Sequence, residues 1–300
     1  MARPLRSLTL SAADAIAACH RCLWTATIGA VLLVLTGCSA NQQPRTPATV
    51  AGRAFTSSVL LHGKPLELHV SAPRMPAAPD VVLVYASGDG GWFGAAVDMF
   101  RQIADAGYAV VGFSSRSFLK IERPRGALVS AAQLADEYDA IIAQARVALG
   151  LPDESRVVLV GWSRGAAFSV LVGSEPAAPR HLLGVIAIGL GEGEDLQVNG
   201  EDDEGHATAE KRRWPFDTYA RIAQLDALPC AVIQATDDNY FPAASARQLF
   251  GPDTARRRFY TINARNHRFS GGKVAFDAAL LDAIHWIVPQ AVRPAGTSVQ

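Results

Sequence analysis

The chain has 300 residues, of which 49% are hydrophobic, and its 28 basic residues equal its 28 acidic residues in number. Nucleic-acid-binding proteins have a strongly basic footprint, so this charge balance excludes nucleic acid as an expected partner. The length and the hydrophobic fraction are sufficient for one domain with a full core.

The amino-terminal segment has the features of a lipoprotein signal peptide. Arginines precede an apolar run over residues 23–35, which is short for a membrane span and ends in Leu35-Thr36-Gly37-Cys38. This ending resembles the bacterial lipobox, and the resemblance implies cleavage before Cys38 and lipidation of that cysteine. A plain amino-terminal membrane anchor is the alternative. The residue after the cysteine is Ser39, whereas an aspartate at this position signals retention in the inner membrane. We therefore expect the chain on the periplasmic side of the envelope, lipid-anchored in the outer membrane.

Composition divides the chain into four regions. We predict a signal peptide over residues 1–37, a lipidated tether over 38–53, a folded domain over 54–290 and a flexible tail over 291–300. The tether is rich in Pro, Thr, Ala and Gln. After cleavage only Cys38 and Cys230 remain, so lipidation of Cys38 leaves no pair for an internal disulfide.

Within the predicted domain, apolar β-rich runs alternate with helical patterns, which is typical of a mainly parallel sheet with helices on both faces. Eight strands are predicted: Phe55–Leu61, Leu66–Val70, Val81–Tyr85, Ala109–Phe113, Val157–Val160, Gly184–Ile188, Ala231–Ala235 and Arg258–Ile262. The first two are punctuated by polar residues and separated by His62-Gly63-Lys64, so we expect an antiparallel hairpin at the sheet edge. The later runs are continuously apolar, as in strands buried on both faces.

Two helices are predicted from apolar residues that recur at a spacing near 3.6. They are Ser130–Leu149 and a last helix that ends at Pro289. Their apolar stripes are Leu134, Tyr138, Ile141, Ile142, Ala145 and Leu149 in the first, and Phe276, Leu280, Ile284 and Ile287 in the second. We interpret both stripes as core.

The segment Gly161-Trp162-Ser163-Arg164-Gly165 directly follows the fifth predicted strand and precedes a helical pattern. A strand, Gly-x-Ser-x-Gly and a helix form the pattern of a nucleophile elbow, in which a sharp turn exposes a serine hydroxyl. A serine needs this exposure and a nearby base to act as a nucleophile. A helix cap at Ser163 is the alternative. Eight strands with crossover helices, and the elbow after the fifth, predict an α/β protein with the α/β-hydrolase fold.

In that fold the acid and then the histidine follow the serine along the chain. Asp238 lies after the seventh predicted strand, in the register of a Gly-x-x-Asp turn with Ala235 in place of the glycine, and Asp237 is the alternative acid. His267 follows the eighth strand and is the predicted general base. The other histidines are interpreted as surface or loop residues, or as mid-helical in the last case: His62, His69, His181, His206 and His285.

A glycine-rich loop, Ser87-Gly88-Asp89-Gly90-Gly91-Trp92, follows the third predicted strand. Glycines let a backbone approach a substrate closely. An oxyanion hole requires backbone N–H donors, and we assign these to the amides of Asp89 and Arg164. The loop also makes Gly88, Gly90 and Trp92 candidate substrate contacts. A flexible turn is the alternative.

Several segments together resemble the bacterial virulence-protein family called VirJ and AcvB, over roughly residues 80–270. They are the loop at 87–92, Ala-Gly-Tyr-Ala-Val-Val-Gly at 106–112, Gly-Trp-Ser-Arg-Gly-Ala at 161–166 and Asn-His-Arg-Phe-Ser-Gly-Gly at 266–272. The resemblance implies a periplasmic protein, and AcvB-type members are linked to hydrolysis of lysyl-phosphatidylglycerol, an aminoacylated lipid. The segment Ser114–Lys120 and the acid loop depart from the family pattern.

Two clusters of charge are predicted on the active-site side of the sheet. The basic cluster after the fourth strand is Arg116, Lys120, Arg123 and Arg125, and the acidic cluster after the sixth is Glu192, Glu194, Asp195, Glu201, Asp202, Asp203 and Glu204. Both are ordinary solvated loops in one interpretation. In the other, Arg116 and Lys120 contact a substrate phosphate while the acidic cluster contacts an ammonium, which suits an aminoacyl phospholipid.

The sequence therefore predicts a lipid-anchored periplasmic serine ester hydrolase that uses Ser163, His267 and Asp238. Its substrate is a small-molecule or lipid ester, the membrane is a partner through the lipid anchor, and no metal or cofactor is required. The alternative function is a catalytically idle hydrolase fold that acts as a binding or export accessory of the envelope, since fold does not determine function.

Overall fold

A computed structural model of the chain describes residues 52–121, 129–197, 215–225 and 228–288. The predicted signal peptide, the lipidation site Cys38, nearly all of the tether and the tail lie outside these ranges, as do Arg123, Arg125 and residues 201–204 of the charged clusters. No helix within the described ranges is long and apolar enough to cross a membrane.

Ten strands and seven helices occur among the described residues. The strands are β1 (Arg53–Leu61), β2 (Lys64–Ala72), β3 (Val81–Ala86), β4 (Ala109–Phe113), β5 (Arg156–Trp162), β6 (Leu182–Ile188), β7 (Gly193–Glu194), β8 (Phe216–Asp217), β9 (Cys230–Ala235) and β10 (Arg257–Ile262). The helices are α1 (Ala95–Asp105), α2 (Ser115–Lys120), α3 (Ala131–Leu149), α4 (Arg164–Ser174), α5 (Thr218–Ile222), α6 (Ala243–Phe250) and α7 (Lys273–Ile287).

Eight of the strands form one sheet in the order β1-β2-β4-β3-β5-β6-β9-β10. β1 and β2 pair as an antiparallel hairpin that ends with Leu61 opposite Lys64, and β2 pairs antiparallel with β4. Every other pair in the sheet is parallel. All eight predicted strands are therefore present, with the hairpin at the sheet edge, and the prediction of a mostly parallel α/β-hydrolase sheet is confirmed.

The core has two layers, one on each face of the sheet. Successive residues of β3 alternate between them: Val82 and Val84 belong to one hydrophobic cluster, and Leu83 belongs to the other. Helices α2 to α6 cover the first layer, and α1 and α7 cover the second. Because each inner strand is buried on both faces, it has a continuous apolar sequence.

The long helix α3 begins where the sequence predicts. Ser130 caps it by accepting a hydrogen bond from the Gln133 amide, and the Gln133 side chain accepts one from the Ser130 amide. This reciprocal capping satisfies two N–H groups that the first turn otherwise leaves unpaired. Gly150 ends the helix in the left-handed conformation that glycine adopts easily.

Strands β7 and β8 were not predicted. Each has two residues, and they pair antiparallel through Gly193 opposite Asp217 and Glu194 opposite Phe216. Two residues are too few for any hydrophobic period, so the pairing depends on tertiary contacts rather than on a local pattern. Strand β7 follows β6 closely in the chain, and its pairing with β8 places Glu194 at the cavity described next.

Candidate active site

Ser163 lies in a strained turn between β5 and α4. Its φ of 58° and ψ of −121° are unusual for a residue other than glycine, and such a conformation costs about 1–3 kcal/mol. A Cβ on Gly161 would lie 1.9 Å from the carbonyl oxygen of Gly165, and a Cβ on Gly165 would lie 2.1 Å from that of Ala86. Both flanking glycines are therefore required by space, because backbone groups occupy the position of any side chain.

Asp238 and His267 form a buried hydrogen-bonded pair. The Nδ1 atom of His267 lies 2.7 Å from Oδ2 of Asp238, which is 2% exposed. The other oxygen, Oδ1, accepts hydrogen bonds from the amides of Tyr240 (2.9 Å) and Phe241 (3.3 Å). Asp237 is exposed and has no such contact with the histidine. The geometry therefore favours Asp238 over Asp237 as the partner of His267.

The ring of His267 is enclosed on several sides. It stacks on the Trp162 ring at 5.5 Å between centroids and meets the Tyr240 ring edge-on at 4.9 Å. The indole N–H of Trp162 also donates to the His267 carbonyl at 3.3 Å. A Cβ on Gly189 would lie 2.7 Å from Cε1 of the imidazole, so a glycine is required there. These contacts restrict the ring to the orientation that Asp238 supports.

The second ring nitrogen of His267, Nε2, is buried and has no hydrogen-bond partner among the described residues, Ser163 included. Both side chains nevertheless line the same cavity. Catalytic hydrogen bonds are often long before a substrate binds, so this separation is compatible with proton transfer in the occupied site.

The cavity has a volume of about 790 Å³ and opens at the carboxyl ends of the parallel strands. Its lining comes from the segments after β3, β5, β6, β9 and β10, including Gly88, Gly90, Ser163, Glu194, Tyr240 and His267. Ligands of open α/β sheets bind at this edge, and the volume is within the range of about 300–1,000 Å³ usual for small-molecule sites.

The glycine-rich loop lies directly against the elbow. A Cβ on Gly88 would lie 2.9 Å from Cβ of Ser163 and 3.5 Å from its hydroxyl oxygen. The amides of Asp89 and Arg164 donate to no acceptor among the described residues. Two unpaired N–H groups next to a candidate nucleophile are what an oxyanion hole requires.

One wall of the cavity is acidic. Asp89, Glu192, Glu194 and Asp195 line it, and the basic side chains among the described lining residues are Arg164 and Arg268. Nε of Arg164 lies 2.7 Å from Oδ1 of Asp89 and 3.2 Å from Oε1 of Glu194. Burial raises the pKa of Glu194 to about 7, although the neighbouring Arg164 charge opposes this shift. When its carboxyl groups are ionised, the cavity has an excess of negative charge.

Three predicted substrate contacts lie elsewhere. Trp92 does not line the cavity: its ring stacks on His69 with centroids 4.1 Å apart, and a Cβ on Gly112 would lie 2.3 Å from it. Trp92 therefore packs the loop against the sheet, and His69 is a strand residue under it rather than a surface or loop residue. Arg116 and Lys120 are exposed on α2 and also lie outside the lining.

Gln234 is a site residue that the sequence analysis did not identify. It is fully buried in β9, and its side-chain N–H group donates to Oδ2 of Asp238 at 3.2 Å and to the Phe241 carbonyl at 2.5 Å. A polar residue inside the otherwise apolar strand Cys230–Ala235, four residues before the acid, was the available signal. Its amide supports the same carboxylate oxygen that His267 contacts.

The described residues contain no group of three or more His, Cys, Asp or Glu side chains placed to hold a metal ion.

The comparisons with known proteins agree with the fold. The model of one family, bacterial virulence protein (VirJ), matches residues 80–285. No curated protein matches the sequence. A protein assigned as a dienelactone hydrolase, from Klebsiella pneumoniae subsp. pneumoniae MGH 78578, has a TM-score of 0.57 and 14% identity over 79% of this chain and 98% of that chain.

Two further solved structures are similar at the level of fold. XC6422 from Xanthomonas campestris, an α/β serine hydrolase without a lid, has a TM-score of 0.52 and 15% identity over 79% of this chain and 96% of that chain. An α/β serine hydrolase homologue from Coxiella burnetii has a TM-score of 0.51 and 13% identity over 76% of this chain and 96% of that chain. At these identities the likeness shows the α/β-hydrolase fold alone.

Proposed function

The chain belongs to the VirJ family of bacterial virulence proteins, and from that premise and the geometry of the cavity we propose that it is a serine ester hydrolase. The observation that supports this most directly is the buried Asp238–His267 pair, whose histidine lines the same cavity as Ser163 on its strained turn. This arrangement does not serve stability alone, because it leaves Nε2 of His267 buried without a hydrogen-bond partner, which costs free energy in the folded state.

The mechanism follows from the positions of these atoms. Oγ of Ser163 attacks the ester carbonyl carbon while Nε2 of His267 takes the hydroxyl proton. The oxyanion accepts hydrogen bonds from the amides of Asp89 and Arg164. The ester C–O bond then breaks, and the imidazolium returns its proton to the departing alcohol. Water, activated by the same histidine, hydrolyses the acyl-enzyme and regenerates Ser163.

The rival function is a catalytically idle hydrolase fold that serves as a binding or export accessory. Reactivity distinguishes the two functions. A fluorophosphonate probe labels an assembled site at its serine, whereas a well-folded chain that no probe labels favours the accessory function.

We extend the proposal to an aminoacylated lipid, lysyl-phosphatidylglycerol, as the substrate. The acidic wall of Asp89, Glu192, Glu194 and Asp195 is complementary to the lysyl ammonium groups. Arg268, which is exposed and lines the cavity, is the candidate partner for the lipid phosphate, in place of Arg116 and Lys120.

This substrate proposal predicts a pH-dependent preference. We expect lysyl-phosphatidylglycerol to be hydrolysed with a kcat/KM about tenfold higher than the same lipid with only its lysyl ε-amine acetylated, a difference of about 1.4 kcal/mol. The α-amine, whose pKa of about 7.7 lies within the tested range, is common to both lipids and cancels in the comparison. The preference is expected to grow from pH 6 to pH 8, because Glu194 ionises through a pKa of about 7. The lysyl ε-ammonium, with a pKa of about 10.4, keeps its charge over this range.

The variant that tests the role of the acidic wall is Glu194→Gln. It is expected to reduce the preference for lysyl-phosphatidylglycerol over the acetylated lipid and to remove the pH dependence of that preference. Glu175→Gln is the control, because Glu175 pairs with Arg221 at 2.8 Å outside the cavity. Rates on the two lipids are compared in one mixture. Equal efficiencies for both lipids, insensitive to salt and to Glu194→Gln, would contradict the substrate proposal while leaving the hydrolase proposal intact.

We also propose that Cys38 attaches the protein to the periplasmic side of the envelope. Cys38→Ser is expected to eliminate incorporation of labelled fatty acid and to move the protein out of the membrane fraction. Cys230→Ser is the control, since Cys230 is buried in the domain. Membrane attachment that persists in Cys38→Ser would instead indicate an uncleaved apolar anchor.

A further inference from the structure

A buried group of hydroxyls holds the glycine-rich loop at the point where it meets the elbow. Oγ of Ser115 donates to the Gly88 carbonyl oxygen at 3.0 Å, and Oγ of Ser87 donates to the same oxygen at 3.3 Å. The Gly91 amide also donates to it, at 3.0 Å, and closes a turn within the loop. The amide of Ser115 donates to Oγ of Ser87 at 3.3 Å. Both serines are 0% exposed. These contacts join the loop after β3 to the first residue of α2.

The direction of the Gly88 carbonyl determines the direction of the Asp89 N–H. A peptide unit is planar and trans, so the C=O of Gly88 and the N–H of Asp89 point in opposite directions. The carbonyl points to Ser115 inside the protein, and the N–H therefore points away from Ser115. This N–H has no acceptor among the described residues, and Gly88 lies against Ser163.

The opposite orientation of this peptide would be harmful to catalysis. A rotation of about 180° would place the Gly88 carbonyl oxygen where the Asp89 N–H now lies, and its partial negative charge would then repel the negative charge of the oxyanion. Glycine has few conformational restrictions, so Gly88 does little by itself to prevent that rotation. The hydrogen bond from Ser115 favours the orientation that presents the N–H.

From these contacts we propose that Ser115 is a positioning residue of the oxyanion hole, which it orders through the Gly88–Asp89 peptide. The inference rests on the proposed ester hydrolase function. Ser115 does not touch the substrate, and its hydroxyl acts only through the peptide that donates to the oxyanion.

The remainder of the loop is held independently of Ser115. The Asp89 carboxylate pairs with Arg164 at 2.7 Å, and the Trp92 ring stacks on His69. Removal of the Ser115 hydroxyl therefore loosens the Gly88–Asp89 peptide, which the Gly91 amide and Ser87 still hold, while the loop as a whole keeps its place. Since the oxyanion exists only along the reaction, this change affects the chemical step more than substrate binding.

The test compares two neighbouring hydroxyls. Ser115→Ala is expected to lower kcat about 3- to 10-fold, with KM within about twofold of the wild type. This loss is smaller than that of a whole oxyanion donor, because the Gly91 amide and Ser87 still hold the Gly88 carbonyl. Ser115→Thr retains a hydroxyl and is expected to restore most of kcat. Ser114→Ala is the matched control: Ser114 caps α2 by accepting from the Ser117 amide at 3.1 Å and does not touch Gly88. That variant is expected to lose about 1 kcal/mol of stability and to keep kcat.

The wild type is tested for labelling by a fluorophosphonate. Steady-state rates on a soluble ester and melting temperatures are measured for the wild type and for every variant. If Ser115→Ala fails to fold, Ser87→Ala removes the other hydroxyl that donates to the same carbonyl and is expected to lower kcat in the same direction. A Ser115→Ala enzyme with wild-type kcat, or an equal loss of kcat in Ser114→Ala, would overturn the inference alone. A well-folded wild type that no probe labels would overturn the hydrolase proposal and this inference with it.

Discussion

Replacement of Ser163 by alanine is expected to lower kcat for ester hydrolysis by about five to six orders of magnitude, because loss of a serine nucleophile removes the covalent route entirely. The residual rate comes from binding and from the oxyanion donors alone. We also expect the variant to lose all labelling by a fluorophosphonate, since the probe bonds to the serine oxygen. The measurements are single-turnover and steady-state rates on a short-chain ester and gel detection of the labelled protein.

The control for this variant is Ser174→Ala at the other end of the same helix. Ser174 is buried and donates to the Leu171 carbonyl at 2.9 Å, away from the cavity. It is expected to keep wild-type turnover. Neither variant is expected to relieve the backbone strain at Ser163, where φ is 58°, because alanine has a Cβ as serine does. Near-normal turnover in a folded Ser163→Ala protein would show that Ser163 is not the nucleophile.

Replacement of Asp238 by asparagine is expected to lower kcat/KM by about four orders of magnitude, as in a serine hydrolase whose histidine has the wrong tautomer. Two backbone amides donate to Oδ1 of Asp238, so the asparagine oxygen is expected to take that position. Its NH₂ group then faces Nδ1 of His267 and makes this nitrogen an acceptor. The ring proton moves to Nε2, which is then unable to take the proton of Ser163.

Asp237→Asn is the matched control, because Asp237 is the adjacent carboxylate but is exposed. We expect its kcat/KM to stay within about threefold of the wild type, as is usual for an exposed side chain that makes no buried contact. The pH dependence of kcat/KM is measured for both variants. A larger loss in Asp237→Asn than in Asp238→Asn would move the triad assignment to Asp237.

The strands of the sheet were predictable because their cause is local. β3 and β5 lie between two helical layers, so nearly every side chain in them is buried and the sequence is apolar without interruption. The elbow was predictable for a similar reason, since Gly161 and Gly165 are adjacent to the serine in sequence and in space. β7 and β8 are separated by more than twenty residues and have no pattern of their own, so only the tertiary structure pairs them.

The partners of His267 depended on contacts between distant segments. The sequence left Asp237 and Asp238 both open, and the turn after β9 exposes the first while burying the second beside the histidine. Gln234 supports that carboxylate from within a strand where only apolar residues were expected. Neither the burial of a carboxylate nor its partner across the sheet edge is determined by neighbours in the chain.

The sequence by itself determined the order of the strands along the chain, the position of the serine turn and the loops in which an acid, a histidine and two amide donors should lie. Only the tertiary structure decided which side chains face the cavity. Trp92 packs against His69 and the sheet, while Arg164 draws Asp89 and Glu194 together at the cavity wall. The physical reason is that backbone pattern and chain order are local properties, whereas the direction of a loop side chain depends on the space and charge that distant residues provide.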